Sequence, residues 1–135
     1  MTDPSPSAIS ELLEKARASI ERYEPAVAAA KMQQGALLID LRPADFRAQF
    51  GEIPDAIIVS RHVLEWRLDV TSAWHLEELR PDGPDQEIIL FCNEGYTSSL
   101  AAYQLETGLG LSGVKDIIGG FAAWQEAGLP TIPSV

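Results

Sequence analysis

The chain has 135 residues, 46% of them hydrophobic, with 10 Gly, 9 Pro and one Cys, a length that suits one domain burying about two-thirds of its unfolded surface. Twenty acidic against 10 basic residues give a formal charge of −10, a field that repels phosphate backbones and anionic membranes and so argues against nucleic acid and membrane as partners. A single cysteine excludes an intramolecular disulfide and any multi-cysteine metal site, and no apolar run approaches the roughly 20 residues that span a bilayer.

The opening stretch MTDPSPSAIS has neither a basic n-region nor an apolar h-region, so a soluble cytoplasmic protein is expected. Residues 8–21 place Ile9, Leu12, Leu13, Ala16 and Ile20 at helical spacing, which predicts an amphipathic helix packed on the domain. The RYE segment at 22–24 reads as a short edge strand. Residues 1–24 are therefore taken as an N-terminal helical extension and 25–135 as the main domain. Capping the sheet edge and mediating dimerisation both stay open as roles for the extension, and the oligomeric state is unknown.

Pro25 suits the first turn of a second helix, with Gly35 just past its end. From there strands and helices alternate. ALLIDL (36–41) is an apolar strand ending near Asp40, and PADFRAQF (43–50) is a short helix stopping at Gly51. AIIVS (56–60) is a second apolar run, followed by two predicted helical pieces around VLEWRL (63–68) and AWHLEEL (73–79). PDGPD (81–85) is a turn cluster. EIILFC (87–92) is a third strand, SSLAAYQLET (98–107) a helix closed by Gly108, VKDII (114–118) a fourth strand and GGFAAWQEAG (119–128) a final helix. Ile-, Leu- and Val-rich strands separated by helices imply an α/β domain, with a mainly parallel four- to five-stranded sheet and helices on both faces. In such folds the functional crevice lies beyond the carboxyl ends of the strands, where Cys92 and Asp40 both fall.

The stretch FCNEGYTSS (91–99) holds the lone cysteine after an apolar run and before a glycine loop and a helix. A glycine there permits the left-handed turns that aim backbone N–H groups inward. Thr97 or Ser98 would cap the following helix, whose positive dipole end faces the sulfur. Such surroundings favour a thiolate nucleophile, and the same donors suit a persulfide. The competing reading is a buried strand cysteine with no chemical role, since IILF precedes it.

Three motifs then carry a family resemblance over roughly residues 36–130. LLIDLRPADFRAQFGEIPDAI resembles the early strand, Asp-x-Arg, helix and Ile-Pro-x-Ala stretch of rhodanese-like sulfurtransferases. IILFCNEGYTSSLAA resembles their active-site loop, and GGFAAWQEAGLP their C-terminal signature with its glycine turn and packed Trp124. The resemblance implies a single rhodanese-like domain and a ping-pong reaction without a cofactor or metal. Cys92 would attack a sulfane sulfur donor, such as thiosulfate or a persulfide, and a thiol or cyanide would remove the outer sulfur from the Cys92 persulfide. Asn93, Glu94, Gly95, Tyr96 and Thr97 would form the cradle, with Ser98 at the helix start and Tyr96 a candidate wall that selects the acceptor. Asp40 and Arg42 match the Asp-x-Arg positions and imply support of the site, Asp40 fixing loop N–H groups or a basic side chain and Arg42 tying elements together; a surface salt bridge is the alternative for Arg42.

The chain departs from the pattern in its loop. Members that favour thiosulfate often carry Arg or Lys there, whereas Glu94 places a carboxylate beside an anionic donor. Arg61 is the candidate for restoring positive charge, against the plainer reading of a solvated arginine. Glu52 and Asp55 replace a histidine and a glycine of the Gly-His-Ile-Pro turn, with no expected effect on fold or chemistry. His62 and His75 have no reason to act as bases, because a dipole-activated thiolate needs no imidazole. Cysteine phosphatase or arsenate reductase chemistry requires an arginine six residues after the cysteine to clamp an oxyanion; Ser98 stands there, and the loop is short for a tetrahedral phosphate in the family's terms. A non-catalytic rhodanese-like binding module, and a persulfide carrier or thiol sensor acting on a protein partner, remain the alternatives.

Overall fold

The computed structural model describes residues 7–79 and 86–134. In chain order it contains α1 (Ala8–Ser19), β1 (Arg22–Tyr23), α2 (Pro25–Gln33), β2 (Leu37–Asp40), α3 (Ala44–Phe50), β3 (Ile57–Ile58), a 3₁₀ turn (Arg61–Val63), α4 (Leu64–Leu68), β4 (Ile88–Phe91), α5 (Thr97–Leu109), β5 (Val114–Ile117) and α6 (Gly120–Glu126). The five strands form one parallel sheet in the order β1-β5-β4-β2-β3. This is the expected α/β domain.

Side-chain alternation along the strands divides the core between two layers. Ile39, Leu41, Leu90 and Val114 face α4 and α5, where they meet Leu64, Leu68, Ala101 and Leu105. Leu38, Ile89, Phe91 and Ile117 face α2 and α6, where they meet Ala28, Phe121 and Trp124. Near-continuous apolar strands are what a parallel sheet covered on both faces requires. The chain leaves β2 toward β3 and leaves β4 toward β5. The loops after β2 and β4 therefore diverge and open a crevice between the carboxyl ends of those strands, the usual ligand position in open α/β sheets.

Local signals explain most boundaries. Pro25 opens α2 at its first position, where its missing N–H costs nothing, and Gly51 ends α3 with φ 97°. Two expectations fail. Residues 73–79 form turns, not a helix. Asp69 Oδ1 accepts from both Thr71 N–H and its hydroxyl, Ser72 Oγ accepts from Trp74 N–H, and Leu76 N–H donates across to Arg67 O at 2.8 Å. These short-range bonds compete with a helical ladder, and the spacing of buried Leu76 and Leu79 marks two anchors in the core. The helix after the cysteine also runs past Gly108 to Leu109, and Gly110, at φ 68°, closes it. The turn cluster at 81–85 lies outside the described residues.

Candidate active site

Cys92 follows β4 directly and is half-buried at the start of the loop that leads into α5. Its Sγ accepts the N–H of Gly95 at 3.2 Å and the N–H of Ser98 at 3.4 Å. Neither Thr97 nor Ser98 caps α5: the cap position is Tyr96, which makes no side-chain capping bond. The sulfur takes that place. By accepting from Ser98, the second helical residue, it does what a capping oxygen does at other helix starts, and the helix dipole then acts on the sulfur directly.

Loop geometry depends on three glycines. Gly95 sits at φ 86° and abuts Gly119, so a Cβ there would lie 2.8 Å from Gly119 N. A Cβ on Gly120, at φ 60°, would lie 2.4 Å from Cys92 O. That close approach lets Phe121 N–H reach Cys92 O and Ala122 N–H reach Asn93 O, both at 2.9 Å. Trp124, buried under the turn, donates from Nε1 to Pro130 O at 2.9 Å.

Two charged clusters hold the loop from opposite faces of the sheet. On the α6 face, Asp40 and Arg42 are 1% and 2% exposed. Asp40 accepts the Arg42 N–H at 2.9 Å and its guanidinium at 2.9–3.3 Å. Arg42 also donates to Gly51 O at 2.8 Å and to Asn93 Oδ1 at 3.4 Å, with its guanidinium 4.1 Å from the Phe121 ring centre. It is a buried tie between β2, the Gly51 turn and the cysteine loop, not a surface salt bridge.

On the α5 face the hub is Asp116, fully buried on β5. It receives Arg22 Nε at 2.8 Å and Nη2 at 3.2 Å, and the hydroxyls of Ser98 and Ser99 at 2.8 Å each. Ser98 Oγ lies 3.5 Å from Cys92 Sγ. Arg17 of α1 adds Nη2 to Gly95 O at 2.7 Å and Nε to Ser99 Oγ at 3.1 Å, and its guanidinium sits 5.4 Å from the Tyr96 ring centre. Burial and then the neighbouring Arg22 lower the Arg17 guanidinium below its ordinary value, opposed by Asp116. Arginine stays charged under such pressure.

Arg17, Arg22, Ser99 and Asp116 escaped the sequence reading. The available signal was Asp116 itself: a carboxylate inside the strand VKDI needs a buried cationic or hydroxyl partner.

The crevice above Cys92 has a volume of about 280 Å³ and is lined by Arg42, Phe46, Asn93, Glu94, Tyr96 and Thr97 among others. Arg61 does not line it. That side chain pairs with Glu65 at 2.9 Å and, with His62, lines an adjacent cavity of about 430 Å³ that shares Arg42 and Thr97 with the crevice. His75 Nδ1 lies 2.7 Å from Ser72 O, away from the crevice lining. Among the described residues no cluster of His, Cys, Asp and Glu could hold a metal ion, and no helix is long and apolar enough to cross a membrane.

Residues 24–127 match the family profile of the rhodanese-like domain. The chain belongs to the rhodanese-like family. It is 35% identical over 115 residues to the adenylyltransferase and sulfurtransferase UBA4 of Candida albicans, covering 84% of this chain and 24% of that protein. The chain likewise spans about a quarter of the length of the maize and fruit-fly relatives of the same description. The thiosulfate sulfurtransferase GlpE of Pseudomonas syringae is 30% identical over 106 residues, covering 78% of this rhodanese-like chain and 87% of that protein. Sulfur transfer is the general chemistry these relatives support. A solved structure from Rhodopseudomonas palustris, of unknown function and described as a possible tyrosine phosphatase, superposes with a TM-score of 0.78 at 30% identity over 98% of this chain and 99% of its own. In this rhodanese-like chain the sixth residue after the cysteine is Ser98, whose hydroxyl is committed to Asp116, so the bidentate oxyanion clamp of a phosphatase is absent from that position.

Proposed function

We propose that the protein is a sulfurtransferase that carries sulfane sulfur on Cys92. The observation behind this reading is the convergence of the Gly95 and Ser98 N–H groups on Cys92 Sγ at the floor of an open crevice. The Cys92 thiolate attacks the outer sulfur of thiosulfate or a persulfide. The donor S–S bond breaks, and sulfite or the donor thiolate leaves with the electron pair. The Cys92 persulfide remains as an anion held by backbone amides. An acceptor thiolate or cyanide then attacks the outer sulfur and returns Cys92 as thiolate, with a new persulfide or thiocyanate as product. Asp40, Arg42 and the loop residues 93–98 support and shape the cradle. Arg61 has a weaker claim, because its guanidinium is paired beside the neighbouring cavity. A reducing cytoplasm suits a chain with one cysteine.

Glu94, exposed on the crevice rim, favours a second reading of the acceptor: a basic face of a partner protein, with Cys92 as a persulfide carrier. The deciding experiment is intact mass after incubation with thiosulfate, and separately with a small persulfide, before and after reductant. A reductant-labile gain of one sulfur atom that Cys92→Ser lacks supports the proposal. No gain with either donor rejects it in favour of a non-catalytic binding module or a sensor charged only by a partner.

A further inference from the structure

We infer that Arg17 is a positioning residue for the cradle: by holding the Gly95 carbonyl away from the sulfur, it keeps the Tyr96 N–H directed out of the helix start, where the sulfur sits. The inference rests on the sulfur-transfer reading and adds a residue that lies outside the matched segment 24–127.

A trans peptide is planar, and its C=O and N–H point in opposite directions. The direction of the Gly95 carbonyl therefore sets the direction of the Tyr96 N–H. That carbonyl accepts from Arg17 Nη2 at 2.7 Å and from Arg22 Nη2 at 3.2 Å, and Ser99 Oγ, whose proton goes to Asp116, lies 3.2 Å from it. The carbonyl therefore faces Arg17 of α1, Arg22 of β1 and the first turn of α5, and the Tyr96 N–H at the helix N-terminus points away from them. Cys92 Sγ caps that same end through Ser98 N–H. An outer sulfur on Cys92 then has a third amide within its surroundings, besides those of Gly95 and Ser98.

The arrangement needs a restraint because Gly95, at φ 86° and without a Cβ, rotates its following peptide at little cost. Rotated, the peptide would present a carbonyl oxygen to an anionic sulfur. Arg17 makes the shorter of the two bonds, and a charge-assisted bond is about twice as strong as a neutral one. It is itself fixed by Ser99 Oγ and by the face of Tyr96. Helix α1 thus reaches the cradle through one side chain.

The test compares wild type, Arg17→Ala, Arg17→Lys and Leu13→Ala for the rate of sulfur loading from a small persulfide, for loss of the outer sulfur by intact mass, and for Tm. Leu13 lines the groove between α1 and α5 and gives no hydrogen bond to the Gly95 carbonyl, so its variant reports loosened packing of α1. Arg17→Ala is expected to load about tenfold more slowly and shed sulfur faster, as the loss of one charge-assisted bond implies. Arg17→Lys should recover part of both, and Leu13→Ala should lower Tm with loading unchanged. Wild-type loading and lifetime in Arg17→Ala, or the same defect in Leu13→Ala, overturns the inference. If wild type takes up no sulfur, the sulfur-transfer reading falls instead. The crystal structure of Arg17→Ala then decides the inference on its own: a rotated Gly95–Tyr96 peptide supports it, and an unchanged one overturns it.

Discussion

Arg22 and Asp116 stand opposite each other in register on β1 and β5, and the guanidinium spans both carboxylate oxygens at 2.8 and 3.2 Å. The pair joins the edge strand to the sheet and, through Ser98 and Ser99, to the start of α5. Removing one partner of such a pair leaves the other charge and two hydroxyls without their acceptor. Asp116→Ala should therefore cost about 3–5 kcal/mol of stability, read from urea unfolding at pH 7. A loss below about 1 kcal/mol, the range of an exposed ion pair, would contradict the role given to the hub.

Because Cys92 Sγ caps α5, its substitutions should separate stability from chemistry. Cys92→Ser keeps an acceptor near the Ser98 N–H and is expected to fold with wild-type Tm while forming no thiocyanate from thiosulfate and cyanide. Cys92→Ala removes the acceptor and should cost about 1 kcal/mol more than Cys92→Ser, the usual value of an N-cap. Equal unfolding midpoints for the two variants would show that the sulfur is not a cap, and residual thiocyanate formation by Cys92→Ser would remove Cys92 from the reaction.

The Tyr23 hydroxyl donates to Glu87 Oε2 at 2.6 Å, with Lys31 and Lys115 at 3.3 and 3.5 Å from the same carboxylate. The Tyr23 bond, followed by the lysines, holds Glu87 below its ordinary value despite burial, and burial followed by Glu87 pushes Tyr23 upward. A depressed carboxyl contributes stability that is present above its unfolded pKa of about 4.3 and is lost as pH falls through the lower folded value. A raised tyrosine contributes stability below about pH 10 that is lost as pH rises toward its folded value. Tyr23→Phe should thus cost about 1.5–3 kcal/mol at pH 7, as for a hydrogen bond to a charged group. That gap should narrow below about pH 4. Urea midpoints of both proteins at the two pH values provide the check, and a gap that stays constant would count against the carboxylate as the source.

Glu94 is an exposed carboxylate on the rim of the Cys92 crevice. Replacing it by lysine turns repulsion of a dianionic donor into attraction, so Glu94→Lys should raise kcat/KM for thiosulfate by about three- to tenfold at low salt. The gain should shrink as salt is added. An unchanged or lower value would mean that Glu94 does not act on the donor's path.

Much of this architecture is written locally. The apolar runs at β2, β4 and β5 carry the period-two division between two core layers, and Pro25 and Gly51 mark a helix start and a helix stop. The position of Cys92 at a strand's carboxyl end, before a glycine turn and a helix, is equally legible, because strand, turn and helix are contiguous in the chain. Residues 73–79 misled for the converse reason: their leucine spacing suits a helix, but Asp69, Thr71 and Ser72 satisfy the backbone locally and the leucines are drawn separately into the core.

What sequence alone determined, then, is the α/β alternation, the family motifs and the placement of the cysteine, all set by short-range patterns of apolarity and turn chemistry. Only the tertiary structure decided which charges meet. Arg17 reaches Ser99 across 82 positions of chain and Arg22 reaches Asp116 across 94. No local propensity records such pairs. They form because parallel pairing sets β1 against β5 in register and packing lays α1 on α5, so that a buried carboxylate can exist only where distant residues bring it compensating donors.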